Sequence, residues 1–433
     1  MKNYSLSTAE GRKKLKARLI AHLEDDILHF WSRAEIVKCN GNFPTFVMQT
    51  GIPVSGMVRF TRMQGRLTFA FLSAYECLLS IRRRTSIERY LNWGLAGIRY
   101  IGTLATPHGG YYMLSDEFGK GIEASVSIQD LSYAALPLMP AYRITKDECY
   151  VNKVWQIIDY ILGEPYSKDG ELAVDSIGSD GETSAYFEGK TLNLVSVLDF
   201  LNALYIPALR DSPAEYVTQE RLDGFKRTVH SLVDNFFRKG IFWNDMQNAG
   251  DFRAKHVDFG HTAKGYGILI DSDILLGRNG CDPSKIRKII KGFRRLVLSA
   301  HDPVLGWKTD FDESGGLVGE VRPSWWRHIV INQTLARYIS SVCKRQSGEL
   351  IDALEHGIDT WFGLGFCDMK RECRGIKESV SNPALISLEA AHIVEDDFSV
   401  VKANPWKSAY HEVDHVVTLL KLIARMDGDY AYV

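Results

Sequence analysis

The 433-residue sequence has no surplus of charge of either sign: 52 basic and 53 acidic residues leave a formal net charge of -1. A dedicated nucleic-acid or membrane-surface binder needs a basic footprint, so neither partner is expected. No uncharged run approaches the roughly 18 residues of a membrane span. The opening stretch, MKNYSLSTAEGRKKLKARL, carries charge with no apolar segment behind it, which predicts no secretory leader. Cysteine is sparse: seven residues, at 39, 77, 149, 281, 343, 367 and 373, never spaced C-x-x-C. Such scattered thiols predict a reduced, cytoplasmic protein with no disulfide and no structural zinc. No Pro- or Ser-rich linker divides the chain, so one domain over 1–433 is expected, and a homodimer is allowed. Neither a Walker loop nor a dinucleotide fingerprint is present, so no cofactor is expected.

What is present has a helical rhythm. Hydrophobic residues are 45% and charged residues 24%, enough apolar mass for a sizeable core. Ser7-Thr8-Ala9-Glu10 has the form of a capping box, with Ser7 and Glu10 satisfying free N–H groups at a helix start that runs on to about Ala34. Phe60, Met63, Leu67, Phe71, Ala74 and Leu78 recur every three or four positions, which is helical spacing. Similar patterns fill 84–104, 123–145, 148–162, 190–209, 216–239, 261–277, 283–300, 325–345, 348–362 and 405–425. That gives about twelve helices and no long alternating strand pattern; 376–400 has no clear period. A glycine closely followed by an aromatic recurs at Gly41, Gly110, Gly163, Gly240, Gly306 and Gly365. The gaps of 69, 53, 77, 66 and 59 residues each fit one helical hairpin with its loop. Six such units predict an all-α (α/α)6 barrel, a toroid of six helix pairs, with each glycine as the left-handed residue just past a helix end.

Four segments in order resemble the N-acylglucosamine 2-epimerase superfamily. Met63-Gln64-Gly65-Arg66 resembles its Q-G-R segment, and Asp258-Phe259-Gly260-His261-Thr262 its F-G-H segment. Trp325-Trp326 resembles its W-W segment, and Trp406-Lys407-Ser408-Ala409-Tyr410-His411 its W-K-x-x-Y-H segment. The resemblance implies a helical-barrel sugar epimerase or isomerase in which His261 and His411 exchange protons with the substrate. Neutral imidazole near pH 7 can give or take a proton, and two on opposite faces of a carbon can invert it. Arg66 shares a helical face with Met63, Ala70 and Phe71, so its guanidinium needs an acidic or carbonyl partner, or a developing oxyanion. Trp325 and Trp326 offer an aromatic floor for a sugar ring. Tyr410 and Trp406, from the last segment, join them as expected binding residues.

This sequence departs from the pattern at three places. Lys264 stands where the family commonly has a glutamate, Val330 where it has another carboxylate, and 192–199 lacks the histidines of cellobiose-type members. Lys264 and His328 are therefore expected to make the pocket more positive and to favour an acidic or carbonyl-bearing substrate. A hydrolase or lyase on the same toroid would need a carboxylate pair such as Asp130 and Asp258. A non-catalytic binder that keeps the cavity is a further alternative, favoured by Lys264 and Val330. His411-Glu412-Val413-Asp414-His415 also spells H-E-x-x-H, a remote zinc-hydrolase alternative in which both histidines bind metal and Glu412 is the base. The metzincin continuation is missing, since Thr418 and Lys421 occupy its glycine and histidine positions.

Overall fold

The computed structural model describes residues 4–81, 86–107, 109–122, 125–163, 166–168, 171–178, 192–244, 258–312, 314–319, 323–342, 348–364, 366 and 401–429. The first helix, α1 (Ala9–Ala21), is capped by Thr8, whose hydroxyl accepts from the Gly11 N–H at 3.1 Å. The cap is thus one residue later than the capping-box reading placed it. A π-helical segment (His22–Leu28) leads into α2 (His29–Trp31). There follow α3 (Thr61–Ser80), α4 (Glu88–Thr103), α5 (Ile128–Ala135), α6 (Leu138–Thr145), α7 (Glu148–Leu162) and α8 (Leu194–Asp199). A second π segment (Phe200–Tyr205) joins α8 to α9 (Ile206–Asp211). Then come α10 (Gln219–Phe236), α11 (Phe259–Arg278), α12 (Ser284–Ile290), α13 (Phe293–Ala300), α14 (Trp325–Ser341), α15 (Gly348–Gly363) and α16 (Tyr410–Met426).

These helices close a ring. α3 packs on α5, α5 on α8, α8 and α9 on α11, α11 on α14, α14 on α16, and α16 back on α3. The remaining helices cover this inner wall: α4 lies on α3, α7 on α5 and α6, α10 on α8 and α11, α12 on α11, α15 on α14, and α1 on α16. The fold is the all-α (α/α)6 barrel expected from the sequence. No helix among the described residues is long and apolar enough to cross a membrane. Cys39, Cys77, Cys149 and Cys281 form no disulfide, while Cys343, Cys367 and Cys373 lie outside the described residues, as does the segment 376–400.

Two of the expected continuous helices are interrupted at proline, which has no N–H to donate and crowds the preceding turn. The 123–145 pattern breaks between Ala135 and Leu138 at Pro137. The 190–209 pattern passes through the second π segment, just before Pro207 in the first turn of α9. The glycine–aromatic repeat also has a different origin from the one expected. Gly41, Gly240 and Gly306 do have φ of +80°, +87° and +74°. Gly240, however, turns a hairpin of Phe237–Arg238 with Ile241–Phe242, and Gly306 begins the return strand of one pairing His301–Asp302 with Gly306–Trp307. Gly163 is extended at a helix end, Gly110 follows the left-handed Gly109, and Gly365 lies outside the described residues. At Gly240 and Gly306 the repeat therefore marks short hairpins in the loops and not left-handed helix caps.

One glycine fixes an inner-helix distance. A Cβ on Gly65 of α3 would sit 1.8 Å from the Tyr133 carbonyl oxygen on α5, closer than any real contact. Gly65→Ala is therefore expected to push the two helices apart and to cost about 3 kcal/mol, the upper part of the usual overpacking range. Urea denaturation reads this directly, and an unchanged midpoint would mean that α3 and α5 do not approach so closely.

Inside the ring, Tyr133, Leu136, Ala203 and Tyr410 form a small buried cluster of their own, with Phe69 packed against it. These side chains come from α5, the linking turn, the second π segment, α16 and α3. They plug the lumen and divide it into two ends.

Candidate functional site

Each recognised segment can be read residue by residue at one end of the lumen. In Gln64-Gly65-Arg66, the buried Gln64 amide clasps the backbone of Phe43, accepting from its N–H at 3.0 Å and donating to its carbonyl. Gly65 brings α3 onto α5, and Arg66 reaches inward. Its Nη1 donates to the Trp406 carbonyl at 2.5 Å, its guanidinium lies 3.8 Å over the Tyr133 ring, and its buried Nε makes no hydrogen bond among the described residues. Trp406 thus enters the site through its backbone, and its side chain is 54% exposed.

Asp258 is the N-cap of α11. One carboxylate oxygen accepts from the His261 backbone N–H at 3.0 Å, and the other lies 2.9 Å from His261 Nδ1. Arg327 Nε is 3.3 Å from the same second oxygen. Burial alone would raise the Asp258 pKa, but His261 and Arg327 together hold it down at about 2. The carboxylate is therefore the acceptor, which puts the proton on Nδ1 and leaves Nε2 for chemistry. Gly260 has space for no side chain, since a Cβ there would meet Arg327 Cγ at 2.9 Å and the Trp326 indole at 3.0 Å.

Trp326 neighbours both histidines expected to act. Its ring centroid is 4.6 Å from that of His261 and 6.3 Å from that of His411. The imidazoles are therefore separated by no more than the sum of those distances. His411 also meets Trp325 at 5.3 Å and Tyr410 at 4.6 Å. Burial, with the Arg66 and Lys264 cations adding to it, holds the His411 pKa well below the ordinary histidine value, so the ring is neutral near pH 7. Tyr410 is buried, accepts from Asn202 Nδ2 at 3.2 Å, and is kept a phenol by that burial. Trp325 is buried behind the site, with Lys407 Nζ 4.5 Å from its ring.

Lys264 and Asp199 were not expected to meet. Lys264 Nζ donates to Asp199, which also accepts from the Tyr133 hydroxyl at 2.7 Å and Gln129 Nε2 at 2.6 Å. Burial would raise the Asp199 pKa, but Lys264 and Arg66 hold it at about 2. The lysine is thus offset by a carboxylate from within 192–199, the segment noted only for its missing histidines. The expectation of a more positive pocket is corrected accordingly. Asp199, Tyr133 and Gln129 are the site residues the sequence reading missed. Asp199 and Asn202, three apart on a helix and both polar in an apolar run, were the available signal.

Three other expectations change with the geometry. His328 is 2% exposed and its Nε2 lies 2.7 Å from the Gly357 carbonyl, in the seam between α14 and α15 and away from the lumen. Burial lowers its pKa to about 4, so it contributes no positive charge to the pocket. Asp130 is buried with both oxygens taken by Arg62 at 2.8 and 3.0 Å, so it is not free to face a substrate, and Asp258 is ionised against His261, so the pair a hydrolase would need is not assembled here. Val330, where a carboxylate was missed, is 5% exposed and belongs to the core. The H-E-x-x-H reading fails on its glutamate: Glu412 is fully buried, pairs with Lys407 Nζ at 3.0 Å and accepts from Trp31 Nε1 at 3.3 Å. His415 packs its ring on Trp361 at 5.7 Å and lies 3.4 Å from Asn332 Nδ2, inside the same core layer.

Arg66, Tyr133, Asp199, Lys264, Trp326 and His411 all lie in the first two turns of their helices. All six inner helices therefore begin at this end of the lumen, and the positive ends of their dipoles converge on it. The paired acids make a pH prediction. Asp199 and Asp258 sit at about 2 in place of 3.8, so the stability they contribute is complete above 3.8 and is lost as pH falls through 2. Urea midpoints measured from pH 5 downward should fall most steeply in that interval, and Asp199→Asn should flatten the fall.

No family model matches the sequence, and no curated protein matches it. Solved structures do match the fold. Cellobiose 2-epimerase from Spirochaeta thermophila superposes with a TM-score of 0.75 at 15% identity, covering 96% of this chain and 98% of that one. A D-mannose isomerase gives 0.70 at 17% identity, covering 94% and 98%. An unsaturated glucuronyl hydrolase specific for heparin gives 0.58 at 14% identity, covering 96% and 98%. At 14 to 17% identity, the likeness is one of fold.

Proposed function

We propose that this barrel is a cofactor-independent sugar 2-epimerase or aldose–ketose isomerase acting by proton transfer at C2 through a cis-enediolate. The observation that carries the reading is the placement of His261 and His411 against one indole, Trp326, in a lumen that Arg66 enters. The sugar ring, or its opened chain, lies against Trp326. His411 is neutral and accepts the C2 proton from one face. His261, with its Nδ1–H held by Asp258, enters with a second proton on Nε2 and gives it to C2 from the other face, so the two rings exchange protonation states as the epimer forms. Arg66 and the converging helix N-termini stabilise the negative charge that develops on the C1 oxygen. Reprotonation of C2 from the second face gives the epimer, and delivery of the proton to C1 gives the ketose. Because Asp199 offsets Lys264, neutral aldoses fit the site better than sugar acids. Two of the barrels of like fold are named for 2-epimerising cellobiose and for isomerising D-mannose, both reactions at this carbon.

The test is incubation in D₂O with a panel of neutral aldoses, disaccharides and N-acylhexosamines, followed by proton NMR. Loss of the C2 proton signal with appearance of epimer or ketose is the expected result. Glycosidic cleavage without C2 exchange would replace this reading with a hydrolase, and no change in any sugar would reduce the chain to a binder.

A further inference from the structure

Beyond the plug, at the end where the inner helices finish, lies a second cavity of about 820 Å³. Phe69 and Leu136 of the plug line its inner end. Its walls carry six basic side chains, Arg143, Arg210, Arg278, Arg337, Lys421 and Arg425, against four carboxylates. Three of the arginines hold all four acids. Arg143 grips Glu76 at 2.8 and 2.6 Å and reaches Asp211 at 2.7 Å. Arg210 meets both oxygens of Asp211 at 2.8 Å, and Arg337 lies 3.5 Å from Asp271 and 3.8 Å from Asp414.

Arg278, Lys421 and Arg425 have no carboxylate within ion-pair distance among the described residues; Arg425 donates only to the Ser340 carbonyl at 3.2 Å. Lys421, like Arg278 and Arg425, is exposed, and it faces the cavity with the barrel walls around it. That enclosure, followed by the neighbouring Arg210 and Arg143, lowers the pKa of its ammonium. Basic residues at helix C-termini offset the negative dipole ends, which explains some positive charge here. It does not explain three unmatched cations lining one concave space after every carboxylate is matched, because like charges held close together repel. A bound anion removes that repulsion. The volume is that of a small-molecule site, and guanidinium forks with a lysine point charge suit phosphate or carboxylate oxygens.

We propose that this second cavity binds a compact polyanion with two or three negative charges, a phosphate ester or a polycarboxylate, through Lys421, Arg278 and Arg425. The site lies at the opposite end of the lumen from the histidines and does not depend on what they do. Isothermal titration of the full chain with inorganic pyrophosphate and, separately, with citrate at constant ionic strength tests it. Saturable binding of one molecule per chain is expected, weakened at least roughly tenfold in Lys421→Met and in Arg278→Met and unchanged in His411→Asn. Pyrophosphate alone would assign a phosphate ester, citrate alone a polycarboxylate, and both the shared chemistry. In anion-free buffer Lys421→Met should also raise the thermal midpoint, since it relieves repulsion. Absence of saturable binding by both anions, or binding that both variants leave intact, overturns the proposal. A lowered midpoint in Lys421→Met does so too, because Lys421 would then be a helix-end counter-charge only.

Discussion

Replacing either His261 or His411 by asparagine is expected to lower turnover at least about 100-fold, the lower end of what general acid–base catalysis contributes. Substrate affinity should change far less, because the lost interaction belongs to the transition state. Asparagine keeps a polar group of similar reach beside Trp326 but cannot carry a proton. The two single variants should differ in kind as well as degree. With one imidazole left, a proton can be removed and returned on a single face, so one epimer can still exchange its C2 hydrogen with D₂O without inverting. The double variant should do neither. Steady-state kinetics with NMR-detected exchange separates these outcomes, and near-normal turnover in either single variant would overturn the two-histidine reading. Asp258→Asn is the companion measurement. It frees the His261 ring while leaving the imidazole in place, so it should act on kcat more than on KM.

Glu412→Ala is expected to destabilise the barrel by about 3–5 kcal/mol, the usual cost of stranding one partner of a buried ion pair. Lys407 is 1% exposed and its ammonium has Glu412 at 3.0 Å and the Trp325 ring beneath it, so without Glu412 it becomes a buried charge facing an indole. The double variant Lys407→Met/Glu412→Leu should recover most of that loss, since two apolar groups of similar volume replace the pair. Added zinc should change neither result. Urea denaturation of wild type and the two variants reads both outcomes. A Glu412→Ala variant as stable as wild type would show that the pair is not buried as described, and a double variant as weak as the single would show that packing and not stranded charge sets the cost.

The ring itself was legible because its helices keep one buried face. Met63, Leu67, Phe71 and Leu78 are each no more than 1% exposed, as their spacing required. What a period cannot convey is where a helix breaks or changes type, as it does at Pro137 and just before Pro207. In the site, Arg66, His261, Trp326 and His411 were legible because each sits in a short segment with a recognisable neighbour. His328 was misplaced for a geometric reason: two residues past Trp326 is about 200° around the helix, so the two cannot face the same space. Asp199 left only a faint trace, a polar residue in an apolar run, and Tyr133 left none, because their roles are set by partners on other helices. Lys264 is separated from Asp199 by 65 positions, and only closure of the ring turns a lone cation into a matched one.

Ring closure also bears on when the protein can first work. α3 and α16 come from opposite ends of the chain, and Arg66 meets Trp406 across 340 positions. Ser5 and the Leu6 N–H bond to Glu355, and Arg12 to Asp427, across 349 to 415 positions. Neighbouring helices such as α3 with α4 can pair as soon as both are made, but contacts this remote form slowly. A nascent chain still lacking α16 has Arg66, Trp326 and His261 but no His411 beside them, and an open wall where the lumen should be. Competence should therefore arrive in a single late step, and a refolding time course should recover helix signal well before the first turnover.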